Sequence, residues 1–348
     1  MKRVFSLILA LALLFGSVTG VAAAAPGGKY ARAQQEQDAS AAFMTGVFCA
    51  LLHSLAPEAP ETPEEPEEEI TLSKRAEYWG LPADITWIEH PQSEAEIENN
   101  ILYSFLTGTY HFRFDNLTPE QGDWLSGQIA SKDGGKPYIK RLACSYPELA
   151  GALANVFAGC GNYVQADGDG YFFIDFPQLK KTEITDELLY QQQVEALDEA
   201  LTISKALHEN GTITDDMTQM KIAWVYYEYL RDLDVKPGGG AQIVGTGQTA
   251  LLDSAWACLV NKKADCVGRA AAFNLLMHIE GISAQGVRGS FRNTDSGHVL
   301  SRVILDGKEY FCDWGNNKGI LPQNEFETER NFVFDAESLV YARSLDNR

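Results

Sequence analysis

The chain is poor in positive charge. Its 348 residues hold 28 lysines and arginines against 48 aspartates and glutamates, a formal charge of -20. That sign repels phosphate backbones and anionic lipid surfaces, so a nucleic-acid partner is not expected. Paired cysteines are missing too. The six cysteines, Cys49, Cys144, Cys160, Cys258, Cys266 and Cys312, form no Cys-x-x-Cys pair, and no cysteine/histidine cluster has the spacing of a structural zinc site. There is no internal repeat, which excludes solenoid architectures. Asp167 and Asp169 sit in an acidic, glycine-rich run, but the remaining spacing of a calcium loop is absent, and a turn is the simpler reading. No cofactor is expected.

Long apolar runs are equally scarce, and the one that exists lies at the very start. Lys2 and Arg3 precede an apolar segment from Val4 to Phe15, and Ala22, Ala23 and Ala24 follow. This is the layout of a secretory signal peptide, and the segment is short of the roughly 20 residues that a membrane span needs. The expected location is therefore secreted or cell-surface. An even cysteine count in an exported chain invites disulfides, with Cys144 and Cys160 the best-placed pair. The run from Asp38 to Pro57 is apolar but again short for a span. From Pro57 to Ile70 glutamate and proline alternate, which gives an extended, solvated spacer.

The whole chain is 45% hydrophobic and 22% charged, a composition that folds. The division expected is residues 1–25 as signal, 26–69 as apolar segment and acidic linker, 70–180 as an amino-terminal α+β region, and 181–348 as the functional domain. Ser93 followed by Glu96 is a capping-box signal, with Ile97, Ile101, Leu102 and Phe105 on one helical face. Thr109–Asp115 alternates as a strand, Tyr146–Phe157 reads as a short helix, and Asn162–Phe176 reads as a hairpin. A long helix spans about Asp186 to His208, and Thr214 is placed to cap a second whose face carries Ile222, Val225, Tyr226 and Tyr229. Lys236–Gln248 is expected as a glycine-rich loop, and Thr249–Val260 as another helix.

The chemistry concentrates at Cys266. Asp265 is a natural N-cap, which puts Cys266 in the first helical turn, where unpartnered N–H groups and the helix dipole favour a thiolate. Lys262, Lys263 and Arg269 add positive charge, and Asp265 opposes it. Small residues (Gly268, Ala270, Ala271, Ala272) let the helix approach its neighbours, and Gly281 ends it in the left-handed conformation. His278, on the same helix, has no evident partner and reads as structural.

A nucleophilic thiol needs a base and a group to orient that base. One downstream stretch supplies both. Asp306-Gly307 is a two-residue hairpin turn, and counting outward sets Leu305 against Lys308, Ile304 against Glu309, and Leu300 against Asp313. His298 and Asp313 then share one face as diagonal neighbours, about 7–8 Å apart at Cα, a gap that an imidazole spans. Cys312 points to the opposite face as packing. Each of these residues alone is more often structural than functional. Together, as Cys266, His298 and Asp313, they make a nucleophile, a base and an orienting carboxylate, with the Cys266 N–H as one oxyanion donor.

At these residues the sequence resembles the transglutaminase-like superfamily of papain-type cysteine enzymes. The likeness runs from about Thr214 to Trp314 and is carried by "TALLDSAWACLVNKKADCVGRAAAFNLLMHIEGISAQGVRG" and "SGHVLSRVILDGKEYFCDW". It implies an α+β fold with the catalytic cysteine starting a buried helix that packs on an antiparallel sheet bearing the histidine and aspartate. It also implies attack on amides through a thiol acyl-enzyme. The expected function is hydrolysis, as a peptidase or amidase, of extracellular or cell-envelope protein or peptide, cell-wall peptide included. The alternatives are a cross-linking transglutaminase, a non-catalytic surface module that binds protein or glycan on the same fold, and a structural envelope protein. The sequence departs from the family where Arg269 replaces an aromatic residue, Val299-Leu300 replaces alanine-tryptophan, and "DWGNN" replaces Asp-Pro-Thr-Trp.

Overall fold

Backbone amides buried away from water must find partners, and the helix starts show how this chain supplies them. The computed structural model describes residues 70–347, with gaps at 110–111, 115–116, 130–141, 143, 150–163, 167–171, 175–184, 240, 244–248, 252, 293–296 and 315–318. The signal and linker segments, Cys49, Cys160, the turn at Asp167–Gly170 and most of the expected Tyr146–Phe157 helix lie outside the described residues.

Helix α1 (Leu72–Tyr78) opens on Thr71, whose hydroxyl accepts the Lys74 N–H. Helix α2 (Glu94–Leu106) starts at the expected cap: Ser93 accepts the Glu96 N–H, and the Glu96 carboxylate reaches back to the Gln92 N–H. Ile97, Ile101, Leu102 and Phe105 are buried together along it. Strands β1 (Phe112–Phe114), β2 (Val164–Ala166) and β3 (Phe172–Ile174) form an antiparallel sheet in the order β1-β3-β2, with helix α3 (Pro119–Ile129) between β1 and β2 in sequence. The β2–β3 pairing is the expected hairpin, with Ala166 opposite Phe172.

Helix α4 (Asp186–Glu209) is capped by Thr185 and stops at Asn210. Helix α5 (Gln219–Asp232) starts one turn later than expected. Its cap is Thr218, which accepts the Lys221 N–H, whereas Thr214 is spent in a local turn, its carbonyl accepting Met217 N–H and its hydroxyl bonding Asp216. The glycine-rich stretch is also more ordered than a loop. It holds β4 (Lys236–Pro237) and β5 (Ala241–Ile243), and β5 pairs antiparallel with β6 (Thr249–Leu251), residues expected to be helical. Pairing across the intervening glycines satisfies backbone groups that neither segment satisfies alone. Helix α6 (Ala255–Leu259) therefore begins only after Ser254, whose hydroxyl accepts the Ala257 N–H. Strand β7 (Lys263–Ala264) lies parallel to β4 and delivers the chain to helix α7 (Cys266–Ile279).

Helix α7 is buried along nearly its whole length, and the chain leaves it through Gly281 at φ +68. Its Phe273, Leu276 and Met277 share one apolar core with Tyr226 and Tyr227 of α5, Trp256 of α6, and Trp79, Ile97 and Phe105 from the amino-terminal helices. The main sheet is antiparallel, in the order β11-β10-β9-β8-β12, from β8 (Ala284–Phe291), β9 (Gly297–Leu305), β10 (Lys308–Cys312), β11 (Ile320–Leu321) and β12 (Phe332–Phe334). Val303 and Leu305 join the core that holds α7, while Val287, Leu300 and Phe311 pack with Phe326 and Phe332 in a second cluster beside helices α8 (Gln323–Glu329) and α9 (Ala336–Ser344). The class is α+β.

The β9–β10 turn places both Asp306 (φ +51) and Gly307 (φ +75) in the left-handed region, the geometry of a type I′ hairpin. The register follows as expected, from Leu305 against Lys308 through Cys312 against Ser301. The Asp306 carboxylate also accepts the Gln219 and Met220 N–H groups, which ties the turn to the start of α5.

Gly289 faces His298 across β8 and β9, and a Cβ there would lie 2.3 Å from the Phe332 ring. Gly289→Ala is expected to destabilise the fold by about 1–3 kcal/mol, as overpacking does. Gly281→Ala meets no atom within 4 Å and carries only the left-handed backbone penalty, about 1 kcal/mol. Urea midpoints for the two variants check this, and equal midpoints would refute the packing argument.

Candidate active site

The first turn of α7 leaves backbone donors to be satisfied, and Asp265 takes two of them. Its Oδ1 accepts the Val267 N–H at 2.9 Å and the Gly268 N–H at 3.1 Å. The Cys266 N–H stays outside this cap, directly at the sulfur. Cys266 is partly exposed where the helix behind it is buried.

Register brings the other two residues together. His298 Nε2 donates to Asp313 Oδ1 at 2.9 Å, and the carboxylate assigns the proton to that nitrogen. The other ring nitrogen is left for the thiol, and the imidazole hydrogen-bonds Cys266. The His298 side chain is 16% exposed and the Asp313 side chain 4%. Phe291 and Phe332 hold the imidazole, with ring centroids 5.1 and 6.2 Å away. Asp313 directly follows β10, and the next residue, Trp314, is wedged by Tyr227 at 6.0 Å and Phe273 at 5.1 Å. The structure thus gathers Cys266, His298 and Asp313 at one place.

Electrostatics sharpen the arrangement. For Cys266, burial is the largest influence and pushes the thiol up, yet the His298 hydrogen bond and charge, with the Val299 and Val267 N–H groups, outweigh it and bring the thiol below its usual value. For His298, burial again opposes charge, but Asp313 and Cys266 raise the imidazole to about 10. Sulfur and ring titrate as a pair and favour thiolate beside imidazolium. The free thiols at Cys258 and Cys312 behave oppositely: burial drives Cys258 to about 12 and Cys312 well upward. Cys144 is buried, and the Cys144–Cys160 pairing involves a residue outside the described set.

Several neighbours carry no sequence signal. Asp253 is fully buried and meets Asp265, whose carboxyl is driven to about 9, first by burial and then by Asp253. A carboxyl raised that far keeps its proton near neutral pH, so Asp265 opposes the thiolate less than its formal charge suggests. Arg330, at the end of α8, is 6% exposed and lies over the Phe326 ring at 5.5 Å. Burial lowers it, while Asp313 is the strongest charge acting to hold it protonated. A cavity of about 200 Å³ opens over the thiol, lined by Pro237, Cys266, Arg269, His298, Asp313 and Trp314.

His278 has a partner that the sequence did not suggest. Its Nδ1 lies 3.5 Å from Glu148, while its Nε2 donates to the Ala284 carbonyl at 2.8 Å. Burial lowers His278 to about 4 and raises Glu148, so both are neutral. A larger cavity, about 490 Å³, opens at this end of α7, roughly 20 Å of helix from Cys266. Among the described residues no group of three His, Cys, Asp or Glu side chains converges to hold a metal ion, and no helix is long and apolar enough to cross a membrane.

No family model matches the chain, and no curated protein matches it. A solved structure described as "Crystal structure of a TGase" overlaps it with a TM-score of 0.30 and 14% identity, covering 45% of this chain and 44% of the other. The chain therefore spans less than half the length of that protein, and a likeness of this size establishes no shared fold.

The geometry makes a pH-dependent prediction. Thiolate and imidazolium coexist above the lowered Cys266 value and below about 10, where His298 loses its proton. At pH 7 iodoacetamide should alkylate Cys266 ahead of Cys258 and Cys312. His298→Ala leaves only the Val299 and Val267 N–H groups to oppose burial, so the low-pH limb should move upward and the rate at pH 7 fall about tenfold per pKa unit. Mass-spectrometric labelling from pH 5 to 10 checks this, and an unmoved limb in the variant would disprove the pairing.

Proposed function

We propose that the chain is an exported thiol enzyme of the transglutaminase-like, papain-type kind, acting on amide bonds of protein or peptide substrates through a thioester. The observation that carries this reading is the His298–Asp313 hydrogen bond of 2.9 Å, beside a thiol that starts a buried helix and is itself bonded to His298. Export rests on the signal-like residues 1–25.

In this reading the Cys266 thiolate adds to the carbonyl carbon. The Cys266 N–H, free of the Asp265 cap, donates to the developing oxyanion. His298 gives its proton to the leaving amine, and Asp313 holds the ring in the tautomer that makes this possible. Water then enters, His298 removes its proton, and the thioester is hydrolysed, which restores the ion pair. Hydrolysis of extracellular or envelope peptides is the favoured outcome; a primary amine entering in place of water gives transamidation by the same steps.

The test is to trap the intermediate. Full-length protein is incubated with peptides, glutamine donors and cell-wall fragments, and Cys266 is examined for an acyl mass increment. Cys266→Ser should abolish turnover, and Asp313→Ala should lower kcat by about a hundredfold or more while the protein stays folded. Added amine that captures the acyl group marks transamidation. No adduct from any substrate, together with Cys266 alkylating no faster than an ordinary exposed thiol, would defeat the enzyme reading and favour the binding module.

A further inference from the structure

We propose that Arg269 makes this cavity selective for substrates that carry a carboxylate next to the amide attacked by Cys266. The inference rests on the thiol-enzyme reading and names its substrate class.

Arg269 lies three residues after Cys266 on α7, so the two side chains are neighbours on one face, with Cβ atoms about 5–6 Å apart. Both line the same cavity of about 200 Å³, together with Asp265, His298, Asp313 and Trp314, the two carboxyls being engaged with Asp253 and His298. One guanidinium nitrogen, Nη2, donates to the Val235 carbonyl at 2.8 Å, which pins the group against the backbone just before β4. That bond uses one of five N–H donors. A mere strut would need no more, but a strut also needs no place in the cavity.

The charge is what remains unexplained. The chain has 48 acidic residues to 28 basic ones, and Arg231, Arg302 and Arg343 each lie within 4 Å of a carboxylate; Arg330, like Arg269, has none that close among the described residues, but it does not line the cavity over Cys266. Among the described residues Arg269 has no ion-pair partner. The carboxylate placed one turn before it, Asp265, is engaged elsewhere: Oδ1 caps the helix and the carboxyl group bonds Asp253. A planar, partly buried guanidinium with no carboxylate beside it among the described residues is suited to bind one from outside, and arginine does so in two-pronged fashion. Its spacing from the sulfur sets the carboxylate about one residue from the bond attacked. An acidic side chain and a free chain terminus offer the same group.

The test uses matched alkylators, in which the thiolate displaces iodide and a carbon–sulfur bond replaces the carbon–iodine bond. Iodoacetyl-Glu-amide against iodoacetyl-Gln-amide reports a side-chain acid. Iodoacetyl-Gly against iodoacetyl-Gly-amide reports a terminal one. For at least one pair, the anionic-to-neutral rate ratio at Cys266 should be about tenfold higher in the full-length wild type than in Arg269→Gln, the scale of one charge-assisted hydrogen bond, with Arg269→Lys retaining much of it. The responding pair identifies the source of the carboxylate. Ratios that match between wild type and Arg269→Gln in both pairs overturn the inference. Rapid labelling by the neutral probes in that case leaves the thiol-enzyme reading standing, whereas slow labelling by all four probes removes both. Should Arg269→Gln not fold, the wild type's own preference for the anionic probe within each pair decides, and absence of that preference in both pairs overturns the inference.

Discussion

Two consecutive left-handed residues, Asp306 and Gly307, set the position of everything that matters around Cys266. A type I′ turn admits one register, and that register places Cys312 against Ser301 and carries Asp313 onto the face of His298. A slip of one residue would turn Asp313 into the core and leave the imidazole without its acceptor. The turn is itself held, since Asp306 accepts the first N–H groups of α5. A negative side chain at a helix start is favourable, so one carboxylate both ends a hairpin and begins a helix.

Within this frame the balance at the sulfur is a contest between burial and hydrogen bonding. Burial opposes both the thiolate and the imidazolium, and it is the largest single influence on each. The ion pair persists because its members lie beside one another and Asp313 stands behind the ring. Cys258 and Cys312 show the outcome when burial is complete and only distant charges oppose it: thiols with their protons firmly held. The contrast depends on position rather than on residue type. Asp265 sits nearby without cancelling the effect, since a carboxyl raised to about 9 keeps its proton at neutral pH.

Much of this was legible in the sequence because the signals are local. The Asp265 cap, the Gly281 exit, the Ser93 capping box and the Asp-Gly turn each depend on two to four adjacent residues, and each appears where it was expected. Errors arose where local signals competed. Thr214 and Thr218 are both good caps, and the structure uses the later one. Thr249–Leu251 is compatible with helix, but pairing with Ala241–Ile243 made it a strand. Asp253 and Arg330 were invisible for a different reason. Their roles come from burial against residues distant in sequence, and no spacing rule encodes that.

Arg330 shows what such burial costs. Among the described residues its three guanidinium nitrogens have no hydrogen-bond partner, and a buried charge in that state is among the most expensive arrangements a fold can hold. A hydrophobic residue would pack there with less loss. Its compensation is long-range: Phe326 lies beneath it, and the charge of Asp313 stabilises it. The Asp313 that acts on it is the same carboxylate that accepts the His298 Nε2 proton. Local rules broken without nearby repair tend to mark sites under functional rather than structural demand. Here the broken rule falls behind the very carboxylate that orients the ring, which is where a chain that needs a persistent imidazolium would accept that cost.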